Sequence, residues 1–293
     1  MQSGDFGAGA RAASVPEPGV QLEAILSSNV GIVEASFVDH RPHVHLEHLK
    51  RIVVCGLRDH GVLGFCFCEL GQPKVGLSPA SREVCEQVFR DAFTEARLAP
   101  PRIYWAKDEA LACVFRNDVN VVHDKLITDL DPVQNWRCAY VVDVQRDYGT
   151  VRIINTHQPK SNQHHLSTRT KKNVIEKIGR HMVAPGISGA IVVGDLNITP
   201  QFLVNCLSTN SLEHRMFFSS LHAPAQHKGN PETTGLDLGY SCGLDIKQVD
   251  TRVPNRPGAN HETVIAAWLP PTRLCRSDIS AAELDDDLGK QAA

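Results

Sequence analysis

The chain has 293 residues, of which 42% are hydrophobic and 22% charged, and its formal net charge is -3. This composition excludes a largely disordered chain and allows a sizeable core in one large domain or two small ones. The slightly acidic balance also argues against a protein that grips long duplex DNA through many phosphates. No apolar run reaches the roughly 18 residues that a membrane-spanning helix needs, so no membrane span is expected.

The two ends of the sequence indicate flexible segments around one folded unit. Residues 1–19 are rich in Gly, Ala and Pro and residues 275–293 are polar and acidic, which leaves residues 20–274 as the expected domain. The first residues hold no apolar stretch of signal-peptide length, so we expect a cytoplasmic or nuclear protein. The nine cysteines are then expected to be reduced thiols. Nothing in the sequence indicates an obligate protein partner.

Short apolar or β-rich runs, typical of strands, recur along the whole chain. In chain order they cover residues 22–30, 61–70, 102–106, 110–115, 120–127, 137–144, 150–157, 190–195, 216–221 and 262–269. Within the second run, Cys66 and Cys68 are two residues apart, which predicts core side chains on one face of a strand. A zinc site is the weaker interpretation, because zinc needs four ligands at known spacings and no second such pair exists.

Helical periodicity appears at four places between these strands. The segments are residues 45–57, 81–96, 170–182 and 201–207. Ser78 and Pro79 resemble an N-cap followed by a proline in the first turn of the second helix. Helices mixed with an excess of strands predict an α/β (α+β) protein in which helices cover two packed sheets.

Polar side chains stand where several of the apolar strands end. They are Asn29, Glu69, Asn155, His157, Asp195 and, two residues further on, Asn197. Asp237 follows in a late segment, and His261 precedes the last strand. Each residue alone has an ordinary structural explanation as a turn former or a cap. Their recurrence predicts that they converge at one edge of the sheets.

The order of these residues resembles that of the endonuclease/exonuclease/phosphatase superfamily, whose fold is that of deoxyribonuclease I. The most specific part is the run Gly194 to Asn197 after an apolar strand, with Asn155 to His157 about 40 residues earlier. The resemblance spans roughly residues 22–269. It implies a four-layered α/β sandwich with two mixed sheets flanked by helices. It also implies a divalent metal, Mg²⁺ or Mn²⁺, and hydrolysis of phosphate esters.

The chemistry of phosphodiester hydrolysis suggests roles at the metal ion and the attacking water for four of these residues. Glu69 is expected to be the principal metal ligand, with Asn29 beside it, because Mg²⁺ takes oxygen ligands and keeps several waters. Asp195 is expected to orient and deprotonate the attacking water. Asn197 is expected to donate a hydrogen bond to the phosphate or to the nucleophile.

The remaining residues are expected to contact the phosphate or to support that contact. His157 and His261 donate to the non-bridging oxygens as negative charge builds up. By the resemblance, Asp237 holds His261 in its tautomer. Asn155, Arg169 and Lys171 are candidate contacts for the substrate phosphate, and Arg116 is a weaker addition to this basic patch.

One departure from the family pattern keeps several functions open. The family usually has Ser-Asp-His where this chain has Ala259-Asn260-His261, and an amide in place of the aspartate weakens a cation site. The first interpretation is a phosphodiesterase or nuclease that acts on nucleic acid. The alternatives are a phosphomonoesterase of a small molecule or lipid headgroup, and a catalytically degenerate binding module.

Overall fold

The computed structural model describes most of the central chain. The described residues are 22–32, 37, 42–71, 75–106, 110–128, 130, 139–158, 168–198, 202–203, 205–206, 218–222, 237–250 and 263–270, with backbone only at 42–43, 168–170, 218–222, 237–238 and 248–250. The predicted flexible segments, residues 1–19 and 275–293, lie outside this set, as do Asn260 and His261.

Twelve described strands form two six-stranded sheets. In chain order they are β1 (Glu23–Ile32), β2 (Gly64–Leu70), β3 (Arg102–Trp105), β4 (Leu111–Phe115), β5 (Asn120–Ile127), β6 (Ala139–Arg146), β7 (Gly149–His157), β8 (Ile187–Asp195), β9 (Phe218–His222), β10 (Asp237–Cys242), β11 (Ile246–Asp250) and β12 (Val264–Trp268). Sheet one has the order β11-β12-β1-β2-β4-β3 and sheet two the order β5-β6-β7-β8-β10-β9. Both sheets are mixed, because the pairs β1–β2 and β7–β8 are parallel and the other pairs are antiparallel.

In the described part of the chain, three long helices cover the sheets. They are α1 (Pro42–Asp59), α2 (Pro79–Glu95) and α3 (Thr168–Met182). The Ser78 hydroxyl accepts a hydrogen bond from the Ser81 amide and Pro79 opens α2, which confirms the predicted cap. Of the predicted fourth helix, residues 202–203 and 205–206 are described, and they are helical. No helix in the described part of the chain combines the length and apolar character that crossing a membrane requires.

Apolar side chains fill three layers of core, which gives the predicted four-layered sandwich. Helices α1 and α2 pack on the outer face of sheet one, where Leu49 and Phe89 meet Phe65 and Phe67. Helix α3 packs on the outer face of sheet two through a separate apolar cluster. The third cluster lies between the two sheets. The order of layers is therefore helix, sheet, sheet, helix.

The cysteines of β2 belong to the layer between the sheets, as their spacing predicted. Cys66 and Cys68 are both fully buried there, while Phe65 and Phe67 face the helices. The Cys66 sulfur lies 3.8 Å from that of Cys113, its cross-strand neighbour. This hydrogen bond and burial raise the pKa of the Cys66 thiol. Cys66 is therefore a neutral core side chain.

A polar cluster closes the end of the sandwich where β1 begins. Glu23 of sheet one accepts a hydrogen bond from Arg146 of β6 in sheet two, at an Nε–Oε1 distance of 2.7 Å. It also accepts one from the hydroxyl of Tyr148, in the turn between β6 and β7. The Trp268 indole in sheet one donates to the same hydroxyl at 3.0 Å. Charge-assisted hydrogen bonds of this kind join the two sheets at this end.

Strands β10 and β11 were not among the predicted strands. Their sequences are short and contain polar residues and glycine, which weakens the apolar signal. Tyr240 and Cys242 nevertheless alternate along β10 and are buried under α3. Period-two spacing was therefore present, but in a segment with too few apolar residues for it to be recognised.

Candidate metal-binding active site

The predicted site residues lie near the carboxyl ends of four strands, two from each sheet. Asn29 lies on β1 and Glu69 on β2, whereas His157 and Asp195 are the last residues of β7 and β8. The pairs β1–β2 and β7–β8 are parallel, so each pair carries its ends to the same edge of its sheet. The predicted convergence is therefore present for these four residues.

Two carboxylates and an imidazole come together at this edge. His157 Nε2 lies 3.5 Å from Glu69 Oε1 and 3.6 Å from Asp195 Oδ2. One potential ligand atom from each residue lies within 4.8 Å of the others. The Asp195 side chain is fully buried, while 33% of the Glu69 side chain is exposed. The site is therefore open to solvent on its Glu69 side.

Hydrogen bonds fix the orientation of the buried Asp195 carboxylate. Its Oδ2 accepts from Asn29 Nδ2 at 3.1 Å, and its Oδ1 accepts from the Asn197 amide at 3.1 Å. The first bond crosses from sheet one to sheet two. Both oxygens of this carboxylate therefore have a hydrogen-bond donor that fixes their position.

Asn197 and Gln158 hold the turn that follows β8. Asn197 adopts a left-handed backbone with φ 47°, which asparagine tolerates better than most residues. Its side-chain nitrogen donates to the Gln158 carbonyl, and the Gln158 amide donates to the Asp195 carbonyl at 2.7 Å. The sequence prediction missed Gln158. Its position immediately after His157, at the end of the strand beside β8, was the available signal.

Glu69 reaches the site because its backbone breaks the alternation of β2. Cys66 and Cys68 face the space between the sheets, so regular alternation would turn residue 69 towards the helices. Glu69 instead has φ 55°, in the left-handed region that disfavours residues with a Cβ atom. The β1–β2 register also shifts between Asn29 and Ile32, directly beside it. Such irregularities re-aim side chains next to functional sites.

Asn155 does not lie where a phosphate contact requires it. Its side chain is fully buried between the sheets. Its Nδ2 donates to the carbonyls of Phe67 and Ala112, and its Oδ1 accepts from the Cys68 thiol. This geometry does not support the predicted contact with a substrate phosphate, because the amide is enclosed and already hydrogen-bonded.

The two basic residues predicted at the phosphate belong to the start of α3. Lys171 Nζ lies 3.5 Å from the Asn197 carbonyl oxygen, which places this ammonium group beside the turn after β8. The backbone of Arg169 lies in the same helical turn, and its side chain is outside the described set. Lys171 therefore lies at the margin of the site.

Arg116 lies at the opposite end of sheet one, so its predicted addition to the basic patch is wrong. Phe115, directly before it, pairs with Gly64 at the start of β2, whereas Glu69 is near the end of that strand. Five residues of strand separate Gly64 from Glu69, which corresponds to about 17 Å. Arg116 instead forms an ion pair with Asp118.

Like Arg169, the predicted residues Asp237 and His261 have no described side chain. The backbone of Asp237 begins β10 and pairs directly with Asp195, so this residue belongs to the same edge of sheet two. His261 lies outside the described residues, and so does Asn260. Their predicted roles therefore stay predictions.

The chemistry of the three converging side chains fits a divalent cation. Among the described residues, Glu69, His157 and Asp195 form the cluster of acidic and imidazole groups close enough to share an ion. Carboxylate oxygens suit Mg²⁺ and Mn²⁺, and Mg²⁺ needs only one or two protein carboxylates. A cation also relieves the repulsion between neighbouring carboxylates.

We expect the backbone of Glu69 to make glycine the better substitute at this position. Glu69→Gly should be more stable than Glu69→Ala by about 1 kcal/mol, since glycine accepts a left-handed φ without steric cost. Both variants lack the carboxylate, so the comparison isolates the backbone. The measurement is the free energy of unfolding in urea with a chelator present.

Glu83, an exposed residue in α2, is the matched control for this comparison. There the order should reverse, with Glu83→Ala more stable than Glu83→Gly by about 1 kcal/mol, as in any helix interior. An alanine advantage at both positions would show that Glu69 is not strained.

The chain is similar to known proteins in its structure and not in its sequence. No protein-family model matches the sequence, and no curated protein matches it at a significant level. Solved structures do match. One is a humanized D. rerio TDP2 carrying 14 mutations, which is 12% identical, with a TM-score of 0.60 over 84% of this chain and 98% of that chain.

Two further structures match over a similar share of the chain. An endonuclease/exonuclease/phosphatase from Bacteroides vulgatus is 13% identical, with a TM-score of 0.58 over 85% of this chain and 98% of that one. D. rerio TDP2 complexed with a single-strand DNA product is 13% identical, with a TM-score of 0.54 over 84% and 98%. Identities this low establish the fold alone. This chain therefore has the fold of the endonuclease/exonuclease/phosphatase proteins, which confirms the resemblance that its motif order predicted.

Proposed function

We propose that this chain is a divalent-metal-dependent hydrolase of phosphate esters, and specifically a phosphodiesterase or nuclease that acts on nucleic acid. The observation that carries the proposal is the convergence of Glu69, His157 and Asp195 at the carboxyl ends of strands from two different sheets. Generic packing does not require two carboxylates to approach each other, because like charges raise the free energy of the folded state.

Glu69 is the proposed principal ligand for Mg²⁺ or Mn²⁺, and Asn29 lies beside it. A bound divalent ion would supply charge neutralisation and Lewis acidity at the phosphate. Glu69 is the more exposed of the two carboxylates, so an ion held there remains accessible to substrate. Asn29 additionally orients Asp195 through their 3.1 Å hydrogen bond.

Asp195 is the proposed general base for the attacking water. It is held in place by its two hydrogen-bond donors, so its orientation needs no adjustment during the reaction. Asn197 contributes to the same turn, and its side-chain nitrogen carries a second hydrogen beyond the one donated to Gln158. We propose that this second hydrogen meets the phosphate or the nucleophile.

The proposed phosphate contacts come from His157, His261, Arg169 and Lys171. His157 already lies between the two carboxylates, where a protonated imidazole can donate to a non-bridging oxygen. Asp237, whose backbone pairs with Asp195, is proposed to hold His261. Lys171 at the start of α3 provides a positive charge beside the same turn.

The proposal of nucleic acid as the substrate class is supported by one of the structural neighbours. That protein, D. rerio TDP2, was solved with a single-strand DNA product. The formal net charge of -3 on the present chain fits a short or single-stranded substrate better than a long duplex bound through many phosphates.

Site variants and a panel of substrates test the proposed reaction. With Mg²⁺ or Mn²⁺, the protein should cleave a labelled single-stranded oligonucleotide and a chromogenic phosphodiester, and a chelator should abolish both activities. Asp195→Ala and Glu69→Gln should each lower turnover by about 100-fold or more. Glu83→Gln, which removes an exposed carboxylate from α2, is the matched control and should retain full turnover.

Other outcomes of this panel would replace the proposal. If a small phosphomonoester added to the panel is cleaved and neither phosphodiester is, the protein is the phosphomonoesterase. A folded protein that cleaves nothing with any metal would indicate the binding module. If Asp195→Ala and Glu69→Gln both cut as fast as the unmodified chain, the assignment of this site would be wrong.

Lys171 and its neighbour provide a paired test of phosphate binding. Lys171→Ala should raise the KM for an oligonucleotide and lower the slope of log KM against log salt by about 1, because one phosphate contact is lost. Lys172 faces Glu176 at 4.0 Å on the helix surface, so Lys172→Ala should change neither quantity appreciably. Equal effects of the two variants would contradict a specific contact at Lys171.

A further inference from the structure

Asn155 is the polar side chain that joins the two sheets directly behind the candidate site. It lies on β7, two residues before His157, in a layer that is otherwise mostly apolar. Val151 and Ile153, which precede it on the same face of β7, are ordinary core residues of that layer. A fully buried amide at the next inward position needs hydrogen-bond partners, because burial without them is costly.

The amide finds those partners in the opposite sheet. Asn155 Nδ2 donates to the Phe67 carbonyl on β2 at 3.0 Å and to the Ala112 carbonyl on β4 at 3.2 Å. Phe67 and Ala112 are cross-strand partners. The single side-chain amide of Asn155 therefore binds two neighbouring strands of sheet one at the same position along them. Phe67 precedes Glu69 by two residues, just as Asn155 precedes His157.

The Cys68 thiol strengthens the same connection from the other side. Its sulfur lies 3.3 Å from Asn155 Oδ1 and 3.4 Å from the Thr156 carbonyl oxygen. Cys68, immediately before Glu69, is thus within hydrogen-bond distance of Asn155 and Thr156, the two residues immediately before His157. These contacts define the spacing of β2 and β7 one residue away from the candidate metal ligand.

We propose that Asn155 is a positioning residue that holds the two sheets at the separation that places a metal ion on Glu69 beside the Asp195 carboxylate. This inference rests on the proposed function, since it concerns the same metal site. Glu69 is carried by sheet one and Asp195 by sheet two, so the distance between them depends on the gap between the sheets. Residues that orient metal ligands without touching the ion commonly affect metal affinity by about 10- to 100-fold.

The Tyr148 hydroxyl offers a matched control, because it also joins the two sheets by hydrogen bonds. It donates to Glu23 and accepts from Trp268 at the opposite end of the sandwich. Thr150 lies on β7 two residues after Tyr148. Seven residues of this strand separate Thr150 from His157, so the Tyr148 contact is at least about 23 Å from the site. Tyr148→Phe therefore removes a contact between the sheets without disturbing the strand ends that form the site.

The experiment measures the Mn²⁺ dissociation constant of the full chain and its variants by calorimetric titration. The temperature is chosen so that circular dichroism reports every variant as folded. Asn155→Val should weaken Mn²⁺ binding by about 10-fold or more. Cys68→Ala, which removes only the thiol contacts, should weaken it by a smaller factor. Tyr148→Phe should lower the melting temperature and leave the dissociation constant within about twofold of the unmodified chain.

Each contrary result has a distinct meaning. If the unmodified chain does not bind Mn²⁺, both the proposed function and this inference are overturned. If it binds Mn²⁺ and Asn155→Val binds equally well, the positioning role alone is overturned. The same holds if Tyr148→Phe loses as much affinity as Asn155→Val, because the effect is then one of general stability. Should Asn155→Val fail to fold, an unchanged dissociation constant for Cys68→Ala overturns the role.

Discussion

The site depends on the approach of two carboxylates that belong to different sheets. Glu69 and Asp195 place oxygens within 4.8 Å of each other, with the His157 imidazole between them. Neighbouring negative charges in a partly buried position oppose folding unless a cation or several hydrogen bonds compensate them. Asp195 has its donors in Asn29 and Asn197. The more exposed Glu69 is the carboxylate for which a metal ion is the natural partner.

The sandwich meets this requirement through the alternation of its strands and through one exception to it. Asn29, His157 and Asp195 occupy positions of the same parity as core residues that face between the sheets, so regular strands deliver them to the site. Glu69 has the other parity and reaches the site through its left-handed backbone. Backbone strain of this kind persists where surrounding structure enforces it, and it is common at functional sites.

The strands and helices that carry the site were largely predictable, because their apolar residues repeat with the spacing of two or of 3.6 that each structure requires. The convergence of strand ends was predictable because polar side chains recur where these apolar strands end. The role of Asn155 was not, since Asn155 and His157 share one face of β7 and the sequence does not mark where the buried layer ends. Strands β10 and β11 were missed because they hold few apolar residues. Gln158 was missed because its contacts run through the backbone.

The central claim of this account is a divalent ion bound by Glu69 and lying beside Asp195. The most direct test is an anomalous difference map from a crystal soaked in Mn²⁺ and measured at a wavelength where manganese scatters anomalously. The account predicts one strong peak within ligand distance, about 2.0 to 2.5 Å, of a Glu69 carboxylate oxygen and close to Asp195. A fully occupied peak elsewhere, or no peak near these carboxylates at millimolar Mn²⁺, would contradict it.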